Sequence, residues 1–122
     1  MVYSAMVLLM IEYLHAKNII FRNLKPENLM LDGEGYLKLV DYGYCKVIVD
    51  KTFTLCGTPE YMAPETLLNQ GQNKGVDFWA LGILIYEMIA GTDPFGEVDQ
   101  DPLQTFENII NKKLKYSFIS IF

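Results

Sequence analysis

Apolar residues at Tyr3, Met6, Val7, Met10, Ile11 and Leu14, with Ser4, Glu12 and Lys17 left polar, follow a helical period. The pattern predicts a helix from Tyr3 to about Ala16, largely buried because its apolar positions cover more than one face. A short apolar run, Asn18 to Phe21, leads into a loop pinned by Pro26. Leu29–Leu31 and Tyr36–Val40 read as strands, and Asp32, Gly33, Glu34 and Gly35 between them carry hairpin-turn chemistry. From Asp41 to Tyr61 no period is sustained, which predicts a long loop of the kind that carries function. Pro64 opens a short helix ending near Leu68, and Asn69 to Gly75 is another loop. Asp77 to Ala90 is apolar nearly all round, so it is expected to be a central buried helix, stopped by Gly91 and followed by Pro94. A last amphipathic helix is expected from about Pro102 to Lys112. The fold class that follows is α+β, mostly α.

Composition narrows this picture. A chain of 122 residues with 51% hydrophobic and 20% charged residues is globular and holds one modest core, either as a single unit or as a piece of a larger one. A formal charge of −5 argues against a nucleic-acid partner, which needs a basic face, and suits basic peptides. Cys45 and Cys56 form neither a disulfide framework nor a metal-binding cluster, so a reducing, cytoplasmic setting is expected. The apolar start lacks the basic segment and cleavage site of a signal peptide. The run from Phe78 to Ala90 is too short to span a bilayer and contains Glu87, so no membrane association is expected.

Several strings stand on this scaffold in a telling order: FRNLKPEN from Phe21 to Asn28, DYG from Asp41 to Gly43, LCGTPEYMAPE from Leu55 to Glu65, and VDFWALGILIYEM from Val76 to Met88. They resemble the HRDLKPEN catalytic loop, the DFG motif and the APE motif of eukaryotic protein kinases. Each string alone is a weak pattern, but together, in this order and at this spacing, they are very specific. The wording is most similar to serine/threonine kinases of the AGC group controlled by cyclic AMP or cyclic GMP. TFTLCGTPEYMAPE and VDFWALGILIYEM resemble the cyclic-AMP type, and DPLQTFENII the cyclic-GMP type.

The resemblance implies roles for particular residues. Phosphoryl transfer rests on positioning and on neutralising charge spread over the phosphoryl oxygens. Asp41 and Asn28 would hold Mg²⁺ through hard oxygen ligands, and Lys25 would face the transferred phosphate of ATP. Thr54 is expected to be a phosphosite whose charge is received by Arg22, with Lys46 helping. Thr58, Pro59 and Glu60 resemble the loop that receives the substrate peptide. Glu27, Glu60 and Glu87 match acidic positions that recognise arginine in it. Asp77 would accept hydrogen bonds from backbone near Arg22, Trp79 would pack beneath, and Glu65 matches an acid whose partner arginine lies far downstream. His15 is read as structural, and Cys56 as a packing residue.

Two departures qualify the resemblance. Asn23 stands where the family has an aspartate that accepts the substrate hydroxyl proton. Phe21 and Tyr42 replace the histidine and phenylalanine of their motifs. The chain also holds no Gly-rich loop and no VAIK-type lysine, so residues 1–122 are expected to be a partial kinase domain: a C-terminal lobe with a small hairpin, cut at both ends and lacking the N-terminal lobe. By itself such a chain is expected to bind ATP poorly or not at all, since pockets work by enclosure. Two readings stay open: part of a serine/threonine kinase acting on basic proteins and governed by a regulatory subunit or domain, or a pseudokinase that serves as a binding scaffold.

Overall fold

A computed structural model describes residues 2–96 and 101–111. Helix α1 spans Val2–Ala16. Strand β1, Ile19–Ile20, pairs antiparallel with the distant β4, Lys46–Val47, and the hairpin is formed by β2, Leu29–Leu31, and β3, Leu37–Leu39. The short helix α2, Pro64–Leu67, precedes the long α3, Gly75–Ala90, and α4, Pro102–Ile110. Among the described residues the order is helix, hairpin and three further helices, with two small sheets: α+β and mostly α.

Local chemistry explains the boundaries. Asn18 ends the first helix in the left-handed region at φ 56°, its N–H donating to the His15 carbonyl at 3.0 Å. In the hairpin turn, Oδ1 of Asp32 accepts from the N–H groups of Glu34 and Tyr36, while Gly35 supplies the positive φ. Gly91 closes α3 in the same left-handed region, donating to the Glu87 carbonyl at 2.7 Å. Oδ1 of Asp101 accepts from the Leu103 N–H and caps α4. The Lys112 end expected for that helix lies outside the described residues.

The core has two parts. Val7, Ile11 and Leu14 of α1 meet Phe21, Leu24, Leu39 and the Ala80, Leu81 and Leu84 stripe of α3. A smaller cluster joins Ile83, Phe95 and Ile109.

Three expectations need correction. The first helix is buried along one stripe, and Tyr3, Leu8, Leu9 and Tyr13 are exposed, because a single partner layer covers a single face. The third helix begins two residues earlier than expected and likewise exposes Phe78, Met88 and Ile89 on its outer side. The stretch from Asp41 to Tyr61 is not structureless. It contains tight turns at Tyr42–Tyr44 and Pro59–Tyr61, the strand β4, and a bridge between Thr52 and Gln72. These pairings are too short to leave a periodic trace.

Candidate active site

The loop from Phe21 to Asn28 leaves β1 at the centre of the larger core cluster, with Phe21 and Leu24 fully buried as its anchors. Tyr42 meets the Phe21 ring edge-on at 5.7 Å, so the residue in place of the family histidine packs against the DYG turn. Beneath the loop, Asp77 of α3 is 1% exposed. Its Oδ1 accepts from the Arg22 N–H at 2.8 Å, and its Oδ2 accepts from the Phe21 N–H at 2.9 Å and from His15 Nε2 at 2.7 Å. A carboxylate only accepts, which places the proton on Nε2 of His15. These three donors hold Arg22 at φ 68°, a left-handed conformation that costs a non-glycine residue about 1–3 kcal/mol and persists where its surroundings over-determine it.

Asn23, buried in this loop, is held from two sides. Its side-chain Oδ1 accepts from the Thr58 hydroxyl at 3.3 Å, and its backbone carbonyl accepts from Asn28 Nδ2 at 2.8 Å. With the Asn28 amide nitrogen engaged there, its Oδ1 is the atom left for a metal. Lys25 follows in extended backbone and is half-buried at the entry to the Pro26–Asn28 turn. The hairpin register then sets Asn28 beside the exit of β3, where the Val40 N–H donates to the Asn28 carbonyl at 3.0 Å. Asp41, the next residue, is exposed and left-handed at φ 62°, with Oδ1 accepting from the Gly43 N–H at 3.3 Å. Asn28 and Asp41 thus reach one end of the hairpin and offer two hard oxygen donors. That set fits Mg²⁺ shared with substrate phosphates and water. Among the described residues no group of three or more His, Cys, Asp or Glu side chains could hold a metal by itself.

A second constellation lies along the segment before Thr58. Arg22 Nε donates to the Tyr44 carbonyl at 2.7 Å and Nη1 to the Thr54 carbonyl at 3.5 Å. Lys46 Nζ donates to the Thr52 hydroxyl at 2.7 Å, so it meets Thr52 rather than Thr54. The Thr54 residue itself is exposed. Burial pushes the neighbouring Cys45 thiol up to about 11, helped by the charges of Asp77 and Asp41 and opposed by Arg22. At neutral pH it is therefore a protonated packing group.

The third constellation is acidic. Thr58 leads into the Pro59–Tyr61 turn, and the Tyr61 hydroxyl donates to Oε2 of Glu87. Burial first, then the hydrogen bond and charge of Glu87, with Glu27 and Asp93 adding, drive the Tyr61 phenol far above its ordinary range. Burial likewise raises Asp93, partly offset by the Phe95 N–H that its carboxylate accepts, with Glu60 and Glu87 adding to the rise. Glu27, Glu60, Glu87 and Asp93 therefore share one field of negative charge.

Glu65 is half-buried in α2 and makes no ion pair among the described residues. Trp79 stacks on Phe95 at 5.8 Å and belongs to the smaller cluster, rather than lying under the catalytic loop. Two residues along a helix are about 200° apart, so Asp77 and Trp79 point to different sides. Sequence reasoning missed four features of this region: Tyr61, Thr52, Gln72 and the pairing of His15 with Asp77. All four act through contacts far apart in the chain.

Comparison with known proteins agrees with this geometry. A model of the protein kinase domain matches residues 2–120. The chain is 51% identical over 114 residues to cAMP-dependent protein kinase type 3 of Saccharomyces cerevisiae, covering 93% of this chain and 28% of the yeast protein. It is 50% identical to the human cAMP-dependent protein kinase catalytic subunit PRKX and 52% identical to the catalytic subunit of Arthrobotrys oligospora, covering 93% of this chain in both cases and 31% and 22% of those proteins. The chain spans under a third of the length of these three relatives. With its motifs in order along a matching domain, it belongs to the protein kinase family and is similar to cAMP-dependent catalytic subunits of the AGC group.

Proposed function

We propose that residues 1–122 form the C-terminal-lobe part of a serine/threonine protein kinase domain that engages MgATP phosphates and basic protein substrates, with its transfer step impaired at Asn23. The observation that carries this reading is the state of Asn23: its carboxamide sits at the base position, with Oδ1 receiving the Thr58 hydroxyl. An amide oxygen can orient a hydroxyl but is a very poor acceptor of its proton. Loss of such general-base help is worth about 10²- to 10⁴-fold in rate.

Around it stand the residue types that the remaining roles require. Lys25 brings positive charge to the phosphate side, and Asn28 and Asp41 bring oxygen ligands. Mg²⁺, when bound, would neutralise charge on the phosphoryl oxygens. Thr58, Pro59 and Glu60 would receive the peptide, and Glu27, Glu60 and Glu87 would take arginines before its target residue. A cytoplasmic placement is supported by the free thiols of Cys45 and Cys56.

Phosphorylation of an arginine-rich serine peptide by the full protein, compared with Asn23→Asp, tests the reading. The substitution should raise kcat by about 10²- to 10⁴-fold. Equal and substantial rates would remove the case for impairment. The pseudokinase reading, which Asn23 itself favours, predicts binding of the basic peptide with no transfer from either protein.

A further inference from the structure

The segment from Lys51 to Thr54 runs alongside Gln70 to Gln72. The Thr52 N–H donates to the Gln72 carbonyl at 3.0 Å, and the Gln72 N–H returns to the Thr52 carbonyl at 2.7 Å. The Gln72 side chain is buried at 3% exposure, and its Nε2 donates to the Thr54 carbonyl at 2.7 Å. Gly71, at φ 87°, lets the two stretches close: a Cβ there would come within 2.8 Å of Lys51 Cδ and 3.0 Å of Phe53 Cε1. The cations nearby are already engaged, Arg22 with the carbonyls of Tyr44 and Thr54 and Lys46 with the Thr52 hydroxyl. Of the two donors to the Thr54 carbonyl, Gln72 is the closer by 0.8 Å, from 3.5 and 2.7 Å, and it is neutral.

We infer that Gln72 is a positioning residue that holds Thr52 to Thr54 in place without a phosphate on Thr54. The inference rests on the reading above, in which Thr58 and Pro59, a few residues after this segment, receive the peptide. A phosphate orders such a segment by drawing guanidinium and ammonium groups to itself. Here a buried amide and a two-way backbone bridge add to the contacts of Arg22 and Lys46, and neither relies on net charge. The segment should therefore be ordered before modification, and its order should respond little to salt or to phosphorylation.

Hydrogen exchange of the full-length chain, read at the Thr52 and Gln72 amides, tests this with and without phosphothreonine placed at position 54. The unmodified protein should exchange slowly at both amides, and the phosphate should change the rates less than twofold. Gln72→Met keeps the volume but removes the donor. It should speed exchange at Thr52 by tenfold or more, and a phosphate on Thr54 should then restore protection through Arg22 and Lys46. Unchanged exchange in Gln72→Met would reduce Gln72 to packing and overturn the inference. Protection of the native sequence only when phosphorylated would overturn it too, and that comparison stands even if the variant fails to fold. Peptide binding, measured separately, decides the functional reading, so the two failures are distinguishable.

Discussion

Asp77 near the start of α3 and Glu87 near its end are carboxylates on one helix in opposite situations. Asp77 is surrounded by donors, two backbone N–H groups and His15, and is sealed from solvent. Glu87 is half-buried and receives one hydroxyl, from Tyr61, within the field of Glu27 and Asp93. The first has its acceptor capacity filled by the protein's own groups, so its role is to shape the loop that carries Arg22 and Asn23. The second has capacity left over in a region of surplus negative charge, the condition under which a guanidinium is bound strongly.

The sharpest break in this comparison is Asp77→Asn. An amide in that place must turn an NH₂ toward N–H donors, leaving buried groups unpaired. Each buried donor left unsatisfied costs about 1–3 kcal/mol, and more where the lost acceptor was charged. Urea unfolding should show a loss of this size. A loss under about 1 kcal/mol would mean that the carboxylate is replaceable and that the packing of Phe21 and Leu24 fixes the loop instead.

Glu87→Gln should do the reverse, leaving the fold nearly intact and weakening a ligand. The amide oxygen still accepts from Tyr61, so stability should change by under about 1 kcal/mol. Affinity for an arginine-rich peptide should fall about tenfold, as expected when a charged partner of an arginine becomes neutral. A titration followed by fluorescence anisotropy reads this directly. An unchanged affinity would leave Glu87 as a support for Tyr61 alone.

The scaffold that carries both carboxylates is legible in the chain's own pattern. The period of Val7, Ile11 and Leu14, the turn chemistry from Asp32 to Gly35 and the stop at Gly91 are all local signals, so the helices and the hairpin can be read from them. The motif strings likewise place Asn23, Asn28 and Asp41 in order along the chain. Pairing at a distance leaves no such trace. The two-residue strands β1 and β4 have no period to detect, and nothing near His15 announces Asp77 as its partner. Tyr61 and Gln72 resemble ordinary loop residues, because what sets them apart is the distant acceptor that each side chain reaches. The different directions of Asp77 and Trp79, by contrast, follow from the helical period alone.

The smallest expected effect probes the same surplus of negative charge from its edge. Asp93 Oδ1 accepts from the Phe95 N–H at 2.9 Å, and the Gly96 backbone also lowers its pKa, while Oδ2 is buried. Burial, with the charges of Glu60 and Glu87, raises its pKa above the ordinary aspartate value of 3.8. A raised carboxyl favours folding in its protonated form. That contribution is complete below the unfolded value and is lost as pH rises through the folded one, so at neutral pH the ionised group is a net cost. Asp93→Asn keeps an oxygen for Phe95 and removes the charge. It should stabilise the protein at pH 7 by under about 1 kcal/mol, since the site is half open to solvent. The gain should shrink as pH falls through the raised titration range of the carboxyl, because the native aspartate is then increasingly protonated. A gain that is constant across this range would assign the effect to packing of the amide. A loss at pH 7 would mean that the charge itself is needed, and that the region is less crowded with negative charge than Glu27, Glu60 and Glu87 make it.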